Sequence, residues 1–261
     1  MFDFGFIGCG HMGAILAAAI VKTGRYSVGV SNATEELTKS AAQKTGATPS
    51  DNLTLAKSSR FLVLAVRPQD LSPVIAEISP YLKDTVIISV LAGVTVEKIK
   101  DAAGDVPVIR IMPNTPATVG EGVILYSAKG VNKDCVDTFL DAFSLTGSLF
   151  AMDEKDIDAG CAVSGCGPAF VYRFIEHFAD AGNALGIDKD LAVRLAAQTV
   201  LGAAKMVLSG EGTPDALCNE VCSPGGATIE GVKTMDASDI ADVMKQTLAS
   251  SFNRTKELGK N

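Results

Sequence analysis

Phe4-Gly5-Phe6-Ile7-Gly8-Cys9-Gly10-His11-Met12-Gly13 is a short apolar run ending in glycines at the spacing G-x-G-x-x-G. Met12 to Thr23 then repeats apolar residues at a helical period, and Ser27 to Val30 supplies a second short strand. Strand, helix and strand within about thirty residues have the dimensions of a βαβ unit. In that setting Gly8 permits the tight turn, Gly10 lets a pyrophosphate approach the backbone, and Gly13 lets helix and sheet pack closely. The unpaired N–H groups at the helix start attract the phosphate oxygens. The segment therefore predicts dinucleotide binding at Gly8, Cys9, Gly10, His11, Met12 and Gly13, against the plainer alternative of glycines that merely pack a βα turn.

The alternation continues. Thr34 to Lys44 reads as a helix with Ser31 or Asn32 placed to cap it. Phe61 to Val66, Val86 to Val90 and Val106 to Met112 are nearly continuous apolar runs, as expected of parallel strands covered on both faces. Leu71 to Leu82 and Val94 to Ala102 are the intervening helices. Val123 to Ser127, a helix over Lys133 to Phe143 and a strand over Ser148 to Met152 complete an α/β half.

Beyond about residue 155 the period is helical only. Pro168, Val171, Phe174, Ile175, Phe178 and Leu185 share one face of a helix, and Leu191 to Leu208 forms another, with Asp188 or Asp190 at its start and Gly210 at its end. Thr213-Pro214 is an N-cap followed by proline, opening a helix to Val221. A last helix spans Ser238 to Leu258. The prediction is a Rossmann-type dinucleotide-binding domain followed by an all-helical domain, with the boundary between residues 150 and 165.

With 23 Lys plus Arg against 30 Asp plus Glu, the net charge of −7 opposes a nucleic-acid or anionic-membrane partner. Anionic ligands must then be held by local backbone donors. The absence of Trp leaves little material for an aromatic nucleic-acid platform. Six cysteines without a C-x-x-C pair, and only His11 and His177 as imidazoles, predict no metal site. Phe2 to Val21 carries Asp3 and several glycines and lacks a basic start, so strand-turn-helix explains it better than a signal peptide. A cytoplasmic protein with no membrane partner is expected.

The acidic residue that usually clamps an unphosphorylated adenosine ribose, about twenty positions after the glycines, is missing. Val28-Gly29-Val30 ends in Ser31-Asn32 instead. A 2′-phosphate meets no repulsion there, which favours NADPH with NADH possible. Lys39 and the backbone near Ser31 and Asn32 are the candidate contacts; capping of the next helix is the competing role for both residues. Ala65-Val66-Arg67-Pro68-Gln69 and Ser89 to Gly93 follow strands at the rim where a nucleotide lies. Arg67 either meets phosphate or faces solvent, and Pro68 either shapes the loop or simply stops the strand.

Arg110-Ile111-Met112-Pro113-Asn114-Thr115-Pro116-Ala117, Ala162-Val163-Ser164-Gly165-Cys166-Gly167-Pro168-Ala169-Phe170 and Ser223-Pro224-Gly225-Gly226-Ala227-Thr228 closely resemble motifs of the pyrroline-5-carboxylate reductase family. With the N-terminal glycines and Ala65 to Gln69 they stand in family order over nearly the whole chain. The resemblance implies reduction of 1-pyrroline-5-carboxylate to L-proline by NADPH or NADH, the last step of proline synthesis. It implies a dinucleotide domain over residues 1–155 and a helical dimerisation and substrate-binding domain over 156–261. A homodimer follows from the same likeness, and rings of dimers occur in the family. The nucleotide is expected along Ser31, Asn32, Ala65, Val66, Arg67, Pro68, Met112, Pro113 and Asn114 as well as the glycine turn. The substrate carboxylate is expected at Gly225, Gly226, Ala227 and Thr228.

Local chemistry is compatible with that expectation, because helix-start amides at Gly226, Ala227 and Thr228 bind a small carboxylate without a neighbouring cation. Thr228 is the hydroxyl expected nearest the ring nitrogen, as donor or proton relay, and its plainer role is a cap or packing residue. The family turn usually has Thr where this chain has Ala227, which removes a side-chain hydrogen bond and keeps the backbone donor. Cys166 replaces a common Ser and reads as packing, since hydride addition to an imine needs no nucleophile. Cys9 lies where a helix terminus can lower a thiol pKa. Glu154 and Asp158 read as structural or interfacial carboxylates rather than catalytic ones. The competing functions are a β-hydroxyacid dehydrogenase of the same plan, for which Lys205 lacks a companion motif, and a binding protein that retains the fold without turnover.

Overall fold

The strand order of the sheet settles how the chain begins. In the computed structural model, which describes residues 1–258, eight strands lie side by side: β1 (Phe2–Ile7), β2 (Val28–Ser31), β3 (Thr48–Pro49), β4 (Ser59–Leu64), β5 (Val86–Ser89), β6 (Val108–Pro113), β7 (Gly122–Ser127) and β8 (Gly147–Ala151). Their order is β3-β2-β1-β4-β5-β6-β7-β8. The first six are parallel in the doubly wound arrangement, β7 runs antiparallel to β6, and β8 is parallel to β7. The winding reverses between β1 and β4, so their C-terminal ends form the crevice where such sheets bind ligands.

Helices α1 (His11–Lys22), α2 (Glu35–Thr45), α3 (Asn52–Ser58), α4 (Leu71–Ile78), α5 (Val96–Ala103), α6 (Lys133–Ala142) and α7 (Ile157–Ser164) accompany the sheet. Alternate strand residues point to opposite faces, and the core divides accordingly. Phe4, Phe6, Val63, Ile88 and Ile109 pack with Leu16 and Ile20 of α1 and Phe139 of α6. Ile7, Leu62, Leu64, Ile87 and Val108 pack with Leu55 of α3, Leu71 and Ile75 of α4 and Ile99 of α5. Covered on both sides, the strands need the continuous apolar sequences they have.

The chain forms two compact units, Met1–Pro168 with the C-terminal stretch from Ser250, and Ala169–Ala249. The second contains most of α8 (Gly167–Ala184), α9 (Lys189–Ser209), α10 (Pro214–Val221), α11 (Ala227–Asp236) and the start of α12 (Ile240–Leu258). Asp188 caps α9 by accepting from Leu191 N, α9 ends at Gly210, and Thr213 caps α10 by accepting from Ala216 N. The only buried cluster among this unit's described residues joins Ala179, Ala192 and Ala196 with Ile175 and Ile187. Phe174, Phe178, Leu195, Leu201 and Met206 are exposed. By length and composition alone α9 is apolar enough to cross a membrane.

Three local readings change. Neither Ser31 nor Asn32 caps α2: Thr34 does, its hydroxyl accepting from Leu37 N at 3.2 Å. The Asn32 amide is drawn back to the Cys9 carbonyl at 3.1 Å instead. β3 and α3, between Thr48 and Ser58, and α7, between Ile157 and Ser164, were not expected as elements. A two-residue strand and helices of seven and eight residues are too short to show a period.

Candidate functional site

Gly8 follows β1 with φ +84°, and a Cβ there would lie 2.5 Å from Val66 Cγ1 and 2.7 Å from Val66 N. Only glycine satisfies both the left-handed backbone and the close approach of the β4 loop. At Gly10, by contrast, a Cβ would meet nothing within 4 Å, so the backbone there is open to a ligand. At Gly13 a Cβ would stand 3.2 Å from both Ala65 Cβ and the Gly8 carbonyl, which is how α1 comes close to the sheet. Gly10 caps α1 without a side-chain hydrogen bond. The first-turn N–H groups of His11, Met12 and Gly13 consequently have no intrahelical acceptor and carry the positive end of the helix.

A cleft of about 400 Å³ opens at this turn, walled by Gly8, Gly10, Asn32, Ala65, Val66 and Arg67. It lies at the winding reversal. The approach left at Gly10 and the donors of α1 fit a pyrophosphate.

The flanking residues are used unevenly. His11 is exposed, and Met12 packs on the core. Cys9 is 4% exposed, and burial pushes its thiol up to about 11 rather than lowering it, so the helix terminus does not activate it. Ser31 is 1% exposed; its hydroxyl donates to Asn52 Oδ1 at 2.7 Å and its carbonyl accepts from Gly8 N and Cys9 N. Asn32 is the member of that pair on the cleft wall. Arg67 faces solvent and pairs with Asp70 at 2.8 Å, while Pro68 opens a short 3-10 turn.

At the end of β6, Met112 and Pro113 are buried. The Asn114 amide is committed at both ends, accepting from Val123 N at 2.8 Å and donating to the Ser164 carbonyl at 2.9 Å. It holds the loop after β6 against the end of α7. Its side chain is thus a structural tie.

Two features were invisible in the sequence. Arg110, read as part of an apolar strand, is 2% exposed and meets Asp158 at 2.6 Å and Glu154 at 3.7 Å. Asn52 and Glu77 join at 2.8 Å beside the end of β2. No composition or spacing signal connects residues so far apart; only the parallel sheet brings α3 and α4 to the β2 rim.

In the helical unit, Ser223-Pro224-Gly225-Gly226 is a reverse turn with proline second and Gly225 third at φ +73°. Gly226 N donates to the Ser223 carbonyl at 3.0 Å. Gly226 then caps α11 with no side-chain hydrogen bond, leaving the first amides of the helix free of intrahelical acceptors. Ala227 and Thr228 are exposed, and the Thr228 hydroxyl makes no hydrogen bond among the described residues. Such a start offers directed donors and partial positive charge to a carboxylate. Among the described residues no three His, Cys, Asp or Glu side chains group to hold a metal.

Comparison with known proteins covers both halves. Residues 154–258 match the family described as pyrroline-5-carboxylate reductase dimerisation, and residues 3–93 match the one described as NADP oxidoreductase, coenzyme F420-dependent. A pyrroline-5-carboxylate reductase of Methanosarcina acetivorans is 36% identical over 263 residues, covering 98% of this chain and 97% of its own. The structure of a pyrroline-5-carboxylate reductase from Coxiella burnetii matches with a TM-score of 0.91 at 31% identity, over 100% of this chain and 99% of that one. The Plasmodium falciparum pyrroline carboxylate reductase with NADP bound matches at 0.87 and 30% identity, over 99% and 98% of the two chains.

Proposed function

The chain belongs to the pyrroline-5-carboxylate reductase family, and from that premise we propose that it reduces 1-pyrroline-5-carboxylate to L-proline, closing proline synthesis. The observation that carries the reading is the pairing, in one chain, of a glycine turn fitted to a pyrophosphate with a second, uncapped helix start fitted to a small carboxylate.

The dinucleotide half, residues 1–155, holds the nucleotide at Gly8, Cys9, Gly10, His11, Met12 and Gly13. Asn32, with the backbone at Ser31, borders its adenosine end, and Ala65 to Pro68 and Met112 to Asn114 border the rest. The helical half, residues 156–261, receives the substrate carboxylate on the amides of Gly226, Ala227 and Thr228, with Gly225 shaping the turn. The Thr228 hydroxyl hydrogen-bonds the ring nitrogen. When bound, the reduced nicotinamide supplies a hydride to the C=N carbon.

The residues of this chain add orientation and charge. A carboxylate fixed on directed amides leaves the ring little freedom to turn, so the reacting carbon is presented in one pose. The protonated ring nitrogen donates its N–H to the Thr228 hydroxyl oxygen, with ordered water, which keeps the proton at nitrogen while the carbon accepts the hydride pair. One imine, one hydride and one proton give one secondary amine. No titrating acid is required, because the protonated imine carries its own proton.

NADPH is the preferred donor and NADH the alternative, since β2 ends at Ser31, Asn32 follows, and neither is the strand-end carboxylate that clamps an unphosphorylated ribose. The exposed apolar faces of α8 and α9 support pairing with a second copy through the helical half. A cytoplasmic location accompanies this reading. The test is oxidation of NADPH by the purified protein with 1-pyrroline-5-carboxylate, with L-proline identified as product and NADH compared. Binding of both reactants without turnover overturns it.

A further inference from the structure

Beside the glycine cleft lies a second one of about 510 Å³ at the end of β2. Asn32, Ala33 and Asn52 wall both, so a dinucleotide laid on the glycine turn with its adenosine past Asn32 enters this second space. Among the described residues its one lysine or arginine is Lys39, and three carboxylates share the wall: Glu35, Asp51 and Glu77.

Each charge has a fixed engagement. Lys39 Nζ is held by Glu35 Oε1 at 2.6 Å, one turn earlier on α2. Asp51 is spent on α3, accepting from Thr54 N at 2.8 Å and Thr54 Oγ1 at 2.7 Å. Glu77 reaches across from α4, its Oε2 accepting from Asn52 Nδ2 at 2.8 Å, while Asn52 Oδ1 accepts from the Ser31 hydroxyl. The buried serine thus orients the asparagine, and the asparagine orients the carboxylate. No strand-end acid exists at β2, yet negative charge is delivered to the same rim from two helices.

We propose that Glu35 and Glu77 set the coenzyme selectivity of this chain by holding down its affinity for a 2′-phosphate. Glu35 does so by occupying Lys39, and Glu77 by fixing a second negative charge on the same cleft wall. An incoming phosphate must displace Glu35 from Lys39 before the lysine serves it, whereas an unphosphorylated ribose asks nothing of that pair. The inference rests on the nucleotide reading above and names the residues that tune it. Both carboxylates are solvent-exposed, so their influence is screened and modest.

The experiment is calorimetric binding of NADP⁺ and NAD⁺ to the full-length protein and to Glu35→Gln, Glu77→Gln and Lys39→Met at low salt. Each glutamine variant is expected to tighten NADP⁺ about three- to fivefold, with NAD⁺ changed far less. Lys39→Met weakens NADP⁺ selectively, and the gain in the glutamine variants shrinks as salt is raised. Thermal melts of the free proteins confirm that each variant folds; Glu35→Asp, too short to hold Lys39 in the same way, repeats the first test with charge retained. If both nucleotides bind the parent protein and the NADP⁺ to NAD⁺ ratio is the same in every variant, the selectivity proposal is overturned. If neither nucleotide binds the parent protein, the dinucleotide reading falls and this proposal with it.

Discussion

Arg110 Nη2 donates to Asp158 Oδ1 at 2.6 Å, joining the centre of β6 to the first turn of α7. The same guanidinium faces Glu154, whose Oε1 accepts from Val96 N at 2.6 Å where α5 begins. One buried cation therefore fastens α7 and, through Glu154, the start of α5 to β6, the strand that carries Met112 and Pro113. Asp158→Ala leaves that cation with one longer contact, and breaking a buried pair from one side is costly. The variant should lose about 3 kcal/mol of stability in urea unfolding. An unchanged midpoint would show that the pair contributes no net stability.

Gly8 and Gly10 are separable by substitution. Gly8→Ala requires a left-handed alanine overlapping the Val66 backbone, so at least about 2 kcal/mol of stability should be lost. Gly10→Ala enters open space at a helix cap and should cost no more than about 1 kcal/mol. Its methyl group nevertheless enters the space the proposed site gives to the phosphates, and NADPH affinity should fall about tenfold or more. Equal nucleotide affinity in Gly10→Ala and the parent protein, measured by calorimetry, would remove that turn from the site.

Cys9 and Cys161 make alkaline pH a test of the core. Burial raises each thiol from 9.0 to about 11. Below pH 9 both are protonated in the folded and unfolded chains, and their contribution is complete. Between about 9 and 11 the unfolded chain releases protons that the folded one keeps, so stability falls as pH rises, by at most about 2 to 3 kcal/mol per thiol. Unfolding midpoints from pH 8 to 11 should shift down, and less so in Cys9→Ser. Iodoacetamide at pH 8 should label the half-buried Cys166, Cys218 and Cys222 before Cys9. Once Cys9 is alkylated, its added bulk should block nucleotide binding.

Thr228 has an exposed side chain and no hydrogen-bonding partner among the described residues, so its removal should leave the fold alone. Thr228→Ala should melt with the parent protein and lose about tenfold or more in kcat/KM for 1-pyrroline-5-carboxylate. Thr228→Ser should recover most of the rate. A rate and KM unchanged in the alanine variant would exclude the hydroxyl from substrate contact.

Much of this was written locally. The glycine spacing, the apolar strands and the caps at Asp188 and Thr213 are decided by neighbours within a few residues, and sequence patterns report such neighbours well. The cap of α2 differs from the sequence expectation because the Asn32 amide is engaged by the distant Cys9 carbonyl and Thr34 takes the capping position. The pairing of Arg110 with Asp158 is not legible in the apolar run around it, because its partner lies 48 residues later on an element too short to show a period. The engagement of Asn114 with Ser164 and the chain from Ser31 through Asn52 to Glu77 are likewise products of topology.

β3 is only two residues long and ends in Pro49, aligned with Val30 of β2. Proline brings no N–H to the margin it occupies, and a strand so brief presents almost no ladder to a stranger. The sheet is thereby finished on that side: another polypeptide cannot be stitched on there, and crowded copies of this protein have one fewer route into fibrils.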